Sequence, residues 1–120
     1  MSVRGIRGAI QIDRDDAVLM REAVVELMTA IMNSNSLIAE DLISVLFTCT
    51  PDLTADFPAA SARAMGLGNV PLLCAVEIAV PESLPRTIRV LVHVNTGLSQ
   101  NEISHIYLRG ATVLRKDLAQ

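Results

Sequence analysis

Apolar and small or polar residues alternate through "SVRGIRGAIQI", a period of two that predicts a β-strand. One face of that strand carries Arg4, Ile6, Ile10 and Ile12, and the other Val3, Gly5, Arg7, Ala9 and Gln11, so the two arginines point opposite ways. The period then changes to that of a helix. Met20, Val24, Leu27, Met28 and Ile31 fall on one stripe with Arg21, Glu22 and Glu26 off it, which predicts a long amphipathic helix ending in "NSNS". Asp13 and Asp15 offer its N-caps, with acidic residues in the first turn where the helix dipole favours them. "IAEDL" reads as one helical turn, and "ISVLFTCT" as a buried strand. Pro58 suits the first turn of a short helix running to Arg63, and Gly66 its left-handed stop. "VPLLCAVEIAV" is a third strand and "TIRVLVHVN" a fourth, joined by a turn around "PESLP" short enough for an antiparallel hairpin. A helical turn is expected after Ser99, then strand-like pieces at Ile106 to Leu108 and Ala111 to Leu114. This order predicts an α+β fold, a mixed β-sheet with one long helix packed on it.

Composition changes that picture in one respect. At 120 residues the chain has the size of a single domain, expected to span 1–120, yet 51% of it is hydrophobic and only 19% charged, against about 25% charged in typical domains. So small a domain buries only about two-thirds of its unfolded surface. An apolar patch is therefore expected on the isolated monomer, and with it a homo-oligomer. A membrane is the other outlet for apolar surface, but Arg21, Glu26, Glu77 and Arg89 interrupt every long apolar run. A net charge of -3, with only Phe47, Phe57 and Tyr107 as aromatics, excludes a basic or base-stacking surface for nucleic acid. The opening residues lack the order of a secretory signal, and Cys49 and Cys74 show no CxxC spacing. Both features lead to the expectation of a cytoplasmic protein with reduced cysteines.

Three predicted strands each hold an ionisable residue among aliphatic ones: Arg7 in "RGIRGAI", Glu77 in "CAVEIAV" and Arg89 in "TIRVLVHV". Singly, each fits a half-buried strand with a solvated outer face. In the fourth strand, period two puts Ile88, Val90, Val92 and Val94 on one face and Arg89, Leu91 and His93 on the other. Because the surrounding runs read as buried, part of this polar row is expected to be buried as well. Two arginines, a carboxylate and Tyr107 make an inventory suited to clamping a small dianion, since guanidinium pairs with carboxylate in a bidentate fork. No GxSxG, HExxH, P-loop or GxGxxG competes with that reading. His93 and His105 lack metal-ligand spacing and read as structural, surface or core histidines, and Cys74 reads as pocket wall, with no base beside it.

"VRGIRGA", "DLTADFPA", "VPLLCAVE", "IRVLVHVNT" and "HIYLRGATVLRKDL" together resemble the monofunctional, Bacillus-type chorismate mutases, in order and over nearly the whole chain. The resemblance implies a homotrimer forming a pseudo-α/β barrel of the chorismate mutase/YjgF-like kind, with active sites between adjacent subunits. It implies the Claisen rearrangement of chorismate to prephenate in phenylalanine and tyrosine biosynthesis, with no cofactor, no metal and no covalent intermediate. Carried over by position, Arg7 would hold substrate carboxylate and hydroxyl-side groups, and Arg89 would face the ether oxygen. Glu77 would lie near the ring hydroxyl and the positive charge developing on the ring, and Tyr107 would contact the side-chain carboxylate. Leu73, Cys74, Ala75 and Val76 would form pocket wall, Phe57, Ala59 and Arg63 would come from the neighbouring subunit, and Arg115 would help close the site. The sequence departs from the pattern at Ala60, where lysine is usual, and at Lys116, where proline commonly follows the arginine. Two other readings compete: a deaminase of the related trimeric YjgF-like fold, which leaves Glu77, Arg89 and "HIYL" without a role, and a non-catalytic trimeric module that binds small acids.

Overall fold

A computed structural model describes residues 1–115. β1 (Ser2–Gln11) leads into α1 (Ala17–Ser34), and β2 (Leu42–Cys49) follows a short 3-10 turn at Ala39–Asp41. α2 (Pro58–Ala62) runs into a wide turn, Arg63–Leu67, before β3 (Leu72–Val76) and β4 (Thr87–Thr96). β5 (Ile106–Leu108) and a 3-10 segment, Arg109–Arg115, complete the described chain. The five strands form one mixed sheet in the order β3-β2-β4-β1-β5, with β4 antiparallel to both its neighbours and the two outer pairs parallel.

One face of the sheet is covered by α1 and carries the core. Ile6, Ile10, Ile88, Val92 and Val94 on the strands meet Met20, Val24, Leu27, Met28 and Ile31 of the helix, all with no measurable exposure. The helix comes close because Gly8 faces it without a side chain. A Cβ there would lie 2.9 Å from Ile31 Cδ1 and 3.1 Å from both Leu27 Cδ1 and the Ile106 carbonyl oxygen. Gly66 plays a different part: its φ of 106° turns the chain out of the α2 region in a conformation that side chains resist. Among the described residues no helix is long and apolar enough to cross a membrane.

Several expected details are corrected. β3 and β4 do not form a hairpin: β3 pairs in parallel with β2, while β4 inserts between β2 and β1. β3 stops at Val76 rather than at Val80. The stretch 77–86 carries the chain from one side of β2 to the other, which a tight turn cannot do. Residues 111–114 are 3-10 rather than strand. The cap of α1 is Asp16, whose carboxylate accepts from the Leu19 N–H at 2.9 Å, and no acidic residue occupies the first turn. Asp15 instead turns outward to accept from the main-chain N–H groups of Thr54 and Ala55 and from the Thr54 hydroxyl, bonds that hold its carboxyl below the usual range. α2 runs on as expected through Arg63, whose φ of -60° and ψ of -43° are helical and whose N–H donates to the Ala59 carbonyl.

Candidate active site

The face of the sheet opposite α1 carries no α-helix, only the 3-10 segment Arg109–Arg115 against the Gln11 side chain of β1, and strand register places the chemistry there. Thr48 of β2 pairs with Ala75 on one side and Arg89 on the other, and Ala9 of β1 pairs with Arg89 and with Tyr107 of β5. Directly paired residues point to the same face, so Ala75, Thr48, Arg89, Ala9 and Tyr107 form one row across all five strands. Ala9 is the short member of the row between a guanidinium and a phenol. Arg7 lies opposite Leu91, two residues from Ala9, which makes it a diagonal neighbour of Arg89 at about 7–8 Å by ordinary sheet geometry.

Glu77 extends this face beyond β3. Its N–H donates to the Cys49 carbonyl at 2.9 Å, continuing the ladder by one step, and that step aims its side chain at the row. The Thr48 hydroxyl donates to Glu77 Oε1 at 2.5 Å, and Arg89 Nε lies 3.7 Å from the same oxygen. At that separation the cation and the carboxylate attract without a hydrogen bond between them. Their side chains are 44% and 25% exposed, so this face is open to solvent in a single chain. The expected burial of the polar row is not found there: Arg7 and Arg89 are exposed, and Leu91 and His93 are half-buried.

The remaining expected residues lie elsewhere. Cys74 and Val76 alternate away from Ala75 and Glu77, so they face the other side of β3. With Phe57, Cys49, Leu53 and Ala75 they border a cavity of about 490 Å³. Leu73 and Phe57 are exposed, at 65% and 67%, and Arg63 is exposed at the end of α2. Ala59 is buried in its own chain, and its carbonyl accepts from the Arg63 N–H. Ala60 is half-buried beside it. Arg115 is half-buried at the end of the 3-10 segment, and Lys116 lies outside the described residues. Burial, reinforced by Cys74, pushes the Cys49 thiol up to about 12, which leaves it no thiolate character at neutral pH. Among the described residues no group of three or more His, Cys, Asp or Glu side chains stands close enough to hold a metal ion.

Two residues at this face have roles that sequence reasoning did not assign. Thr48 orients Glu77, and His105 Nδ1 accepts from the Arg7 main-chain N–H at 3.0 Å. Thr48 becomes visible only through strand register, which pairs it with Arg89.

The family model described as chorismate mutase type I matches residues 3–118. The chain belongs to this family. Its activity is that of a chorismate mutase, an isomerase of aromatic biosynthesis. A chorismate mutase from Thermus thermophilus is 48% identical over 117 residues, 97% of this chain and 96% of that one. One from Bacillus subtilis is 38% identical over 120 residues, covering 99% and 94%. The solved structure of a chorismate mutase from Clostridium thermocellum superposes with a TM-score of 0.90 at 42% identity, covering 92% of this chain and 98% of the other. The mixed sheet backed by α1 is thus the fold of a chorismate mutase.

Proposed function

We propose that the chain converts chorismate to prephenate at the face opposite α1, in a cleft completed by a neighbouring copy within a homotrimer. The observation that carries this reading is the single row holding Arg89 and Tyr107, with Glu77 at 3.7 Å from Arg89 and Arg7 diagonal to it. The rearrangement breaks one carbon–oxygen bond and forms one carbon–carbon bond within the same molecule. No proton or electron leaves the substrate, so the residues need only hold and polarise it. As the carbon–oxygen bond breaks first, negative charge gathers on the ether oxygen, and Arg89 stabilises that state more than the ground state. Glu77, anchored by Thr48, faces the ring hydroxyl and the positive charge developing on the ring. Arg7 and Tyr107 hold the carboxylates and so enforce the folded conformer from which the bonds exchange.

A neighbouring copy is called for by the division of the expected residues. Phe57, Cys74 and Val76 border a cavity on one side of β3, whereas Glu77 and Arg89 lie on the other, and one chain does not wrap both sets around one small molecule. Leu73, Val76, Ile78 and Val80, in and just after β3, are all exposed, apolar surface of the kind a second subunit covers. In the trimer Phe57, Ala59 and Arg63 approach the substrate held by the adjacent subunit's Arg7, Glu77, Arg89 and Tyr107. Ala60, where lysine is usual, leaves Arg63 without a second cation beside it in this wall and so weakens the attraction of a dianion. Leu73 to Val76 serve as wall and Arg115 closes the cleft. The free cysteines Cys49 and Cys74 suit a cytoplasmic site of action.

The test is the loss of chorismate absorbance with purified protein and no added cofactor. Turnover with prephenate as product supports the reading. Binding of small dicarboxylates without turnover would instead mean a module that has kept the pocket.

A further inference from the structure

β1 and β5 meet over a short ladder, Gly8 to Ile10 against Ile106 to Leu108. One residue before it starts, the Arg7 N–H points to the same edge, and the acceptor it finds is a side chain. His105 Nδ1 takes that hydrogen at 3.0 Å. An accepting Nδ1 must carry a lone pair, so the ring is neutral with its proton on Nε2. Burial first, then the charges of Arg7 on β1 and Arg115 on the 3-10 segment, hold the His105 pKa below its ordinary value. Both facing charges are cations, so a proton on His105 would break the bond to Arg7 and add a third positive charge.

The stretch around His105 is anchored on its far side too. The Asn35 carboxamide accepts from the Ser104 N–H at 2.8 Å and donates to the Ser104 carbonyl at 3.0 Å, which ties it to the end of α1. Beyond β5, Arg109 holds Glu26 of α1 at 2.7 Å. The segment bearing Tyr107 is thus fastened to the helix at both ends, and the His105 ring links it to the main chain of Arg7.

We propose that His105 is a positioning residue for the rearrangement, its neutral imidazole setting the main chain of Arg7 and the start of the strand that presents Tyr107. The inference rests on the reading that Arg7 and Tyr107 hold substrate. It makes activity sensitive to acid although the chemistry transfers no proton. The sign for stability follows from the lowered folded value: the contribution of the neutral ring is present above the unfolded pKa and is lost as pH falls through the folded one.

The test uses the full chain with His105→Leu and His105→Asn. Asn places its carbonyl oxygen near the position of Nδ1, restoring a neutral acceptor that does not titrate, whereas Leu supplies none. His105→Leu is expected to lower kcat/KM about tenfold, the scale of a lost positioning hydrogen bond, with kcat affected more than KM. His105→Asn should stay within about threefold of the parent, and should lose less activity than the parent between pH 7 and pH 5. Parent-like kcat and KM in a folded Leu variant, or an Asn variant as impaired as the Leu one, would overturn the inference. Should the Leu variant not fold, parallel acid limbs for the parent and the Asn variant would overturn it instead. Arg7→Ala separates the two levels: full activity there removes Arg7 from the site, and the role of His105 with it. Loss in Arg7→Ala beside parent-like His105→Leu removes only the role of His105.

Discussion

Arg89 and Arg4 sit on opposite faces of the same sheet, and their surroundings set different tasks. Arg4 Nε donates to the Leu98 carbonyl at 3.2 Å, a structural tie on the helix side. Arg89 stands on the opposite face, solvent-exposed, with Glu77 3.7 Å away. Arg89→Ala is expected to leave a folded protein with kcat lowered at least ~10²-fold, the usual scale for losing one transition-state donor. Arg4→Ala should leave kcat unchanged, and steady-state kinetics on the pair checks both. Thr48→Val removes the hydroxyl that aims Glu77 while keeping the volume. A hydrogen bond to a charged group contributes roughly 1.5–3 kcal/mol to stability, so the thermal midpoint should fall by several degrees, and with Glu77 no longer aimed kcat/KM should fall about tenfold. At this scale the sequence was informative about charges and silent about their helpers. Charges stand out among aliphatic neighbours, whereas Thr48 and His105 look like ordinary strand and loop residues until register pairs them with Arg89 and Arg7.

Among the elements, α1 and β1 were legible because each repeats one period for several turns or pleats and buries one face. The hairpin between β3 and β4 was not, because local pattern says which face of a strand is apolar but not which strand lies beside it. β4 is apolar on its buried face whichever neighbour it has, and its pairing is decided by β1 and β2, which come far earlier in the chain. The 3-10 residues 111–114 were misread as strand for a related reason: "ATVL" is apolar enough for either form, and Ala111 is buried in it. Gly8 links element to site. Gly8→Ala pushes a methyl group against Leu27 and Ile31 and is expected to cost about 1–3 kcal/mol, measurable by urea unfolding. Because Arg7 adjoins it, activity should fall as well, and parent-like stability and kcat together would show that α1 yields freely.

For the molecule as a whole, the apolar excess in the composition reappears as the exposed side chains of Leu73, Val76, Ile78 and Val80 in and just after β3. Light scattering on the purified protein is expected to give three times the chain mass at micromolar concentration. Ile78→Asp together with Val80→Asp should shift it towards monomer and abolish turnover with it, because the cleft proposed above takes residues from both copies. A monomer with full kcat would show instead that one chain suffices.

The placement of β4 has a consequence for the birth of the protein. It is the middle strand of the sheet yet the last but one to be synthesised, so β1 and β2 wait on the ribosome with the edges it will cover still open. Nothing preceding residue 87 can close the sheet, and most of its pairing is long-range, which makes for slow folding after release. A chain stopped at residue 86 is expected to give no dispersed amide spectrum. The row from Ala75 to Tyr107 would then exist only in finished chains, so an incomplete one carries no partial activity.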